Sequence, residues 1–145
     1  EELTNSGYIR RRYTKKKVKI NNKPLHYISS DGFHIYVGKN NLQNDQLTFH
    51  FAVGNDWWFH AKQAPGSHVI VRTNGAELPD TTFEEAARLA AYYSSMRGSD
   101  KVEIDYVEKK QVKKPGGGKP GFVVYYTNYS MVIDSNISQI RLCAD

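Results

Sequence analysis

One stretch of the chain, NDWWFHAKQAPGSHVIV at residues 55–71, concentrates the side chains that could do chemistry. It carries two adjacent tryptophans, two histidines and a lysine around Ala64-Pro65-Gly66. Imidazole nitrogens bind zinc and act as general bases, whereas exposed indole rings stack on nucleic-acid bases. The stretch therefore has to be tested as a metal site, a catalytic pocket and a nucleic-acid surface.

A metal site would need three or four ligands from histidine, cysteine or carboxylate side chains. With a four-residue loop at Gln63–Gly66, Ala61 faces His68, and the alternation of strand side chains puts His60 and His68 on opposite faces of the sheet. A register shift of one residue would bring them together, and a third ligand would have to come from His34, His50 or Asp56. No HxxxH or CxxC spacing supports such a site, so we expect neither a metal nor another cofactor.

Catalytic interpretations have less support than binding. Ser67 and His68 are neighbours in a strand, so their side chains point to opposite faces and cannot pair as nucleophile and base. Glu103 and Asp105 share one face of a predicted strand, as is typical of the solvated side of a sheet. The glycine-rich PGGGKPG at 115–121 lacks the Ser/Thr and the helix that a phosphate-binding loop needs. We therefore expect a protein that is not an enzyme.

Nucleic-acid binding fits the residue types best, because it needs cations for phosphates and flat exposed groups for unpaired bases. In the predicted strand 57–62, alternation assigns Trp57 to the core and Trp58 to the opposite face. The alternative is that Trp58 also packs inside the domain, as tryptophan often does. The candidate contact residues are Lys39, Asn40, Trp58, His60, Lys62 and His68.

Charge is distributed unevenly along the 145 residues, whose length fits one domain. The net charge is +5, and eight Lys/Arg residues without any acid lie between Tyr8 and Lys23, so the remainder is net negative. We expect a basic arm or linker at 1–24 and a folded domain at 25–145. The arm is either a solvated linker or a polyanion-binding segment. A single cysteine, Cys143, excludes an intramolecular disulfide, and no apolar run is long enough to span a membrane.

The periodicity of apolar residues predicts an α+β fold with a mostly antiparallel β-sheet and two main helices, at about 41–53 and 82–97, packed on it. Asp31-Gly32 between two alternating runs predicts a hairpin. Asn40 or Asn41 is expected to cap the first helix, and a Thr82/Glu85 capping box the second. Further strands are expected at 57–62, 67–72, 102–108 and 121–127, with a short one near 131–133.

Several long stretches resemble the NFACT-R domain, the C-terminal RNA-binding-type domain of the fibronectin-binding-A-like NFACT proteins. They are SSDGFHIYVGKNNLQND, DWWFHAKQAPGSHVIV, LPDTTFEEAARLAAYYSSMRGS and VEIDYVEKKQVKKPGGGKPGFVVYY. The resemblance covers about residues 25–133. Lys39 and Asn40 belong to the first of these motifs, and Trp58, His60, Lys62 and His68 to the second.

The resemblance implies a function that composition does not show. Proteins of this family bind the large ribosomal subunit carrying a stalled nascent chain, bind tRNA and, in bacteria, support C-terminal alanine tailing. The implied partners are tRNA, large-subunit RNA and the NFACT-N domain of the same protein, without a membrane or a small-molecule substrate, at a cytoplasmic, ribosome-associated location. Residues 1–24 would leave the coiled-coil region of the family. The alternatives are a protein docking module that uses Trp58 and His60, and a fibronectin-binding surface adhesin.

Overall fold

A computed structural model describes residues 23–144 and contains one antiparallel sheet of seven strands. The sheet order is β6-β5-β3-β4-β2-β1-β7. The strands are β1 (Leu25–Ile28), β2 (His34–Val37), β3 (Trp57–Ala61), β4 (Val69–Val71), β5 (Val102–Glu108), β6 (Tyr129–Ile133) and β7 (Arg141–Leu142). The α+β fold with a mostly antiparallel sheet is confirmed. The basic arm expected at 1–24 lies almost wholly outside the described residues.

The first helix has two parts, and it occupies the position that the sequence predicts. Helix α1 (Asn41–Gln46) continues as a π-helix over Leu47–Phe51. Asn40 is the N-cap, and its side-chain oxygen accepts a hydrogen bond from the backbone N–H of Gln43 at 2.9 Å. The cap satisfies one of the free N–H groups of the first turn, as expected for asparagine at this position.

The second helix, α2 (Asp80–Tyr92), begins and ends earlier than predicted. Its N-cap is Pro79, whose side chain makes no capping hydrogen bond, so the predicted capping box does not form. Thr82 instead donates its hydroxyl to Asp31 at 2.8 Å, and the Glu85 carboxylate accepts from the backbone N–H of Ser30 at 2.7 Å. These residues therefore fasten the helix to the turn between β1 and β2.

Both faces of the sheet are covered, which the sequence pattern did not indicate. On one face α2 packs against a core that contains Phe59, Ile104 and four alanines of the helix. On the other face Trp58 and Ile70 pack with the π-helix residue Leu47 and with Val112. The sheet is thus the middle layer of the domain.

The segment predicted as a strand at 121–127 is mostly irregular. It forms an isolated pair between Val124 and Lys113, and the regular edge strand of the sheet is β6, beside β5. A short strand, β7, extends the opposite edge beside β1 and was not predicted. Within residues 23–144, no helix is long and apolar enough to cross a membrane.

Candidate nucleic-acid interface

The hairpin formed by β3 and β4 has a different register from the one predicted. Trp57 pairs with Val71 and Phe59 with Val69, so continuing the ladder places His60 opposite His68. The two imidazole rings lie on the same face, with centroids 5.6 Å apart. The expectation of opposite faces is therefore wrong, because the register is shifted by one residue from the one that the assumed four-residue loop would give.

His68 is a buried structural residue. Its side chain is only 2 % exposed, and its Nε2 donates to the carbonyl of Gly121 at 3.2 Å. Because a carbonyl can only accept, the neutral ring carries its proton on Nε2, and Nδ1 accepts from the Thr48 hydroxyl at 2.8 Å. Burial, followed by repulsion from His60, lowers the pKa of His68 to about 3. The predicted contact of His68 with RNA is not supported, since the whole ring is enclosed by protein.

Trp58 is likewise inside the domain. It is 1 % exposed, and its ring is covered by His60, with centroids 5.7 Å apart, and by Tyr125 at 4.9 Å. The prediction of an exposed Trp58 platform is therefore wrong. The alternation of β3 was assigned correctly, but the segment that contains Tyr125 crosses the face that the sequence left open. The indole N–H of Trp58 has no hydrogen-bond partner among residues 23–144.

His60 and Lys62 are half-buried on the same face. His60 Nε2 donates to the carbonyl of Gly66 at 3.2 Å, and burial lowers its pKa. The Lys62 ammonium lies 3.3 Å from the carboxylate of Asp105, which is 3 % exposed. Asp105 also accepts hydrogen bonds from the Tyr125 and Ser130 hydroxyls, so it is not on a solvated face as predicted. Lys62 therefore compensates a buried carboxylate.

Lys39 and Asn40 are exposed at the N-terminus of α1. Their backbone position depends on Gly38, because a Cβ at Gly38 would overlap the side-chain oxygen of Asn44. That oxygen accepts from the backbone N–H of His68 at 3.0 Å, which ties α1 to β4. The VGKNN motif thus presents an exposed lysine and asparagine on a rigid support.

A groove of about 370 Å³ opens beside these two residues. Its floor is formed where the β3–β4 loop meets the end of α2, and a Cβ at Gly66 would lie 2.9 Å from the Cβ of Ser94. The backbone N–H of Ser67 donates to the carbonyl of Tyr93 at 2.9 Å. We call this the basic groove; its lining is Lys39, Asn40, Asn41, Asn44, Pro65, Gly66, Ser67, Tyr93, Ser94, Ser95 and Arg97.

Arg97 supplies the second cation of the basic groove and was missed as a site residue. Its guanidinium carbon lies 3.9 Å from the ring centroid of Tyr92, and Nε donates to the Tyr92 carbonyl at 2.6 Å. The sequence interpretation placed Arg97 in the last turn of a helix, but α2 ends at Tyr92 and the chain then turns back towards Pro65. Nothing in the sequence indicates that this turn meets a loop some thirty residues earlier.

The glycine-rich loop is fastened next to the basic groove. Lys114 Nζ donates to Asp45 at 2.8 Å, to the Lys119 carbonyl at 2.6 Å and to the Phe122 carbonyl at 3.2 Å. Asp45 also accepts from the backbone N–H of Gly121 at 2.9 Å, and these contacts with Lys114 and Gly121 lower its pKa although burial opposes them. The loop is thereby held against α1, and it carries Phe122, which is 59 % exposed.

The histidines on this face do not form a metal site with other described residues. His60 and His68 are close, but each has an Nε2 that donates to a backbone carbonyl. Among residues 23–144 there is no group of three or more histidine, cysteine, aspartate or glutamate side chains that could hold a metal ion. What the arrangement offers a ligand is exposed cations, amides and aromatic rings.

Comparison with known proteins assigns the chain to a family. A family model described as "NFACT protein RNA binding domain" matches residues 23–126. The chain belongs to this family. A protein named "Rqc2 homolog RqcH" from Streptococcus suis is 49 % identical over 126 residues, and one of the same name from Bacillus subtilis is 43 % identical over 136 residues. The resemblance stated from the sequence motifs is confirmed.

The NFACT RNA-binding domain accounts for only a part of those relatives. The matches cover 86 % and 92 % of this chain but 22 % and 24 % of the two RqcH proteins. A solved structure, described as the C-terminal of the fibronectin/fibrinogen-binding protein from Streptococcus suis, has a TM-score of 0.79 and 44 % identity. The match covers 92 % of this chain and 53 % of that one. The fold and the family are thus shared over nearly the whole chain.

Proposed function

We propose that this NFACT RNA-binding domain binds tRNA or ribosomal RNA through the basic groove. The observation that carries the proposal is the convergence of Lys39, Asn40 and Arg97 on one groove. Ammonium and guanidinium groups bind phosphates, and the asparagine amide adds a donor and an acceptor for a base edge or a ribose. Of the predicted contact residues, this proposal retains Lys39 and Asn40. It does not include Trp58, His60, Lys62 or His68.

Phe122 takes the stacking role that the sequence had suggested for Trp58. Phe122 is exposed on the loop held by Lys114, and its neighbour Gly121 lies against the Asn41 side chain of the basic groove. A flat ring next to cations suits unpaired nucleotides, because each base offers a face for stacking while its phosphate meets the cation. The preferred RNA is therefore a single-stranded loop or a splayed nucleotide rather than a regular duplex.

In the parent protein the domain would act on the large ribosomal subunit with a stalled nascent chain. The names of the RqcH relatives and the family description support a role in ribosome quality control. Support of C-terminal alanine tailing, association with large-subunit RNA and contact with an NFACT-N domain are part of the same proposal. The domain contributes an RNA contact to this process and no catalytic step.

A salt titration of tRNA binding tests the proposed function. The double variant Lys39→Ala/Arg97→Ala should bind tRNA about tenfold more weakly, and the dependence of log K on log salt should become shallower by roughly 1.5, since two phosphate contacts are lost. Lys101→Ala/Arg141→Ala removes the same charge from exposed positions outside the groove. If both double variants lose the same affinity, only the overall charge matters and the basic groove is not the site.

An adhesin is the second candidate, because the similar solved structure is described as a fibronectin/fibrinogen-binding protein. Immobilised fibronectin and tRNA can be compared with the same 145-residue chain. The RNA proposal predicts saturable binding to tRNA that Lys39→Ala/Arg97→Ala weakens. Saturable binding to fibronectin alone would favour the adhesin.

A further inference from the structure

A second cleft, of about 450 Å³, lies at the β6 edge of the sheet. It opens between the N-terminal half of α2 and strands β5 and β6, on the face that carries α2. We call it the aromatic cleft; it is lined by Trp57, Asp80, Phe83, Glu84, Tyr106, Tyr129, Met131, Val132 and Ile133. The cleft shares no lining residue with the basic groove.

Four aromatic rings form its wall. Trp57 meets Phe83 edge-on, with centroids 4.9 Å apart, and its ring lies 5.9 Å from Tyr106 and 6.0 Å from Tyr129. Trp57 is half-buried, whereas Tyr129 and Val132 are each 61 % exposed. Rings that line a cleft can be reached by a ligand, and the negative face of an aromatic ring attracts cations.

The lip of the aromatic cleft is acidic. Asp80 and Glu84 lie one helical turn apart on α2, and both are exposed. No lysine, arginine or histidine is among the lining residues. Burial, and then the neighbouring Tyr129 and Asp80, raise the pKa of Tyr106, which agrees with a negative local potential. Phosphates are repelled by such a lip, so the chemistry excludes RNA and favours a cationic partner.

The floor of the cleft ends in an open strand edge. Strand β6 pairs with β5 on one side, and no strand between residues 23 and 144 pairs with its other side. An open edge offers backbone N–H and C=O groups at the spacing of a β-strand, and an extended peptide can pair with them. Tyr129 and Val132 lie in the strand that such a peptide would join.

We infer that the aromatic cleft binds an extended, arginine- and lysine-rich segment of a partner protein, which pairs with β6. A cationic side chain of that segment lies over the rings of Trp57 and Tyr129. The Asp80 and Glu84 carboxylates neutralise its charge and that of a neighbouring cation. This site is independent of RNA binding, because the basic groove takes no part in it.

The test uses the 145-residue chain and a labelled decapeptide of alternating arginine and valine. Fluorescence anisotropy should show saturable binding that Asp80→Asn/Glu84→Gln weakens at least tenfold. Glu77→Gln/Glu103→Gln removes the same charge from exposed residues outside the cleft and should change the affinity less than twofold. Equal losses in the two double variants would overturn the inference, as would equal binding of a decapeptide with glutamate in place of arginine.

Further measurements test whether the peptide pairs with β6 and whether RNA occupies the cleft instead. Methylating alternate backbone nitrogens of the decapeptide should weaken binding at least fivefold, and unchanged binding would remove the pairing with β6. Tyr129→Ala should weaken binding of the decapeptide and leave tRNA binding unchanged. A loss of tRNA binding in Tyr129→Ala would overturn the inference in favour of RNA.

The basic arm of the same chain is the remaining competitor for the cleft. Replacing Arg10, Arg11 and Arg12 by glutamine removes three cations from the arm without shortening the chain. The inference predicts an unchanged affinity for the decapeptide. A tenfold gain would show that the arm occupies the aromatic cleft and would overturn the assignment to a partner protein.

Discussion

The basic groove and the aromatic cleft lie at opposite ends of helix α2 and carry opposite charge. Asp80 and Glu84 stand in the first turns of the helix, whereas Arg97 follows its last residue, Tyr92. A helix of 13 residues separates its two ends by about 20 Å. The RNA proposed for the basic groove and the cationic peptide proposed for the aromatic cleft would therefore bind the domain at the same time, each at the end whose charge attracts it.

The two tryptophans show the same contrast at the level of single residues. Trp58 is enclosed in the layer that supports the basic groove, and Trp57 forms the wall of the aromatic cleft. Adjacent residues of one strand thus serve two regions, because their side chains alternate between the faces of the sheet. Trp57, which the sequence had assigned to the core, packs on the core and also lines the cleft.

The largest expected effect separates these two tryptophans. Trp58→Ala should lower the free energy of unfolding by about 3–5 kcal/mol, as for a fully buried aromatic residue. Trp57→Ala should lower it by roughly half as much, because its side chain already faces solvent in part. Urea unfolding of both variants measures the difference. Equal losses would show that the aromatic cleft is part of the core rather than a binding surface.

Acidification should act on the side of the basic groove. The folded chain holds His68 neutral down to a pKa of about 3, whereas the unfolded value is 6.5. Between those values the unfolded chain binds more protons, so the free energy of unfolding is greatest above pH 6.5 and falls as the pH decreases. The contribution of His68 amounts to about 2 kcal/mol between pH 6.5 and 5.

Urea unfolding at pH 7.5 and pH 5 checks this expectation against the variant His68→Gln. Glutamine does not titrate, so the dependence on pH should become flatter in the variant. Hydrogen exchange at pH 5 should rise first around Gly121, whose carbonyl accepts from His68, and not in strand β6. Faster exchange in both regions together would contradict the separation between them.

Removing the exposed ring beside the basic groove should have an intermediate effect. Phe122→Ala should weaken binding of a single-stranded RNA by about 1–3 kcal/mol, the range for one stacked base. Tyr129→Ala is the matched control in the aromatic cleft, since Tyr129 has a similar exposure. Fluorescence anisotropy should show a loss for Phe122→Ala alone. A loss of RNA affinity in Tyr129→Ala would show that RNA contacts the aromatic cleft instead of the basic groove.

The smallest expected effect concerns Lys62, which the sequence had grouped with the RNA contacts. Lys62→Ala should reduce RNA affinity less than Lys39→Ala, because its ammonium already compensates Asp105. A loss of RNA affinity as large as that of Lys39→Ala would extend the site to Lys62.

More of the fold than of the candidate site could be predicted from the sequence. The hairpin at Asp31-Gly32, the cap at Asn40 and the alternation of β3 follow from local rules, and all three are present. Burial of Trp58 depends on a segment more than sixty residues later, and the pairing of Gly66 with Ser94 depends on where α2 ends. Such contacts have no local signature, so Arg97 and Phe122 could not be identified before the structure.

The most direct test of the RNA proposal is the position of RNA on the surface. A tRNA that carries 4-thiouridine can be crosslinked to the chain by near-ultraviolet light, and the crosslinked peptides can be identified by mass spectrometry. We predict crosslinks within residues 39–44, 92–97 and 119–122, around the basic groove. Crosslinks concentrated within residues 80–84 and 129–133, at the aromatic cleft, would contradict the account.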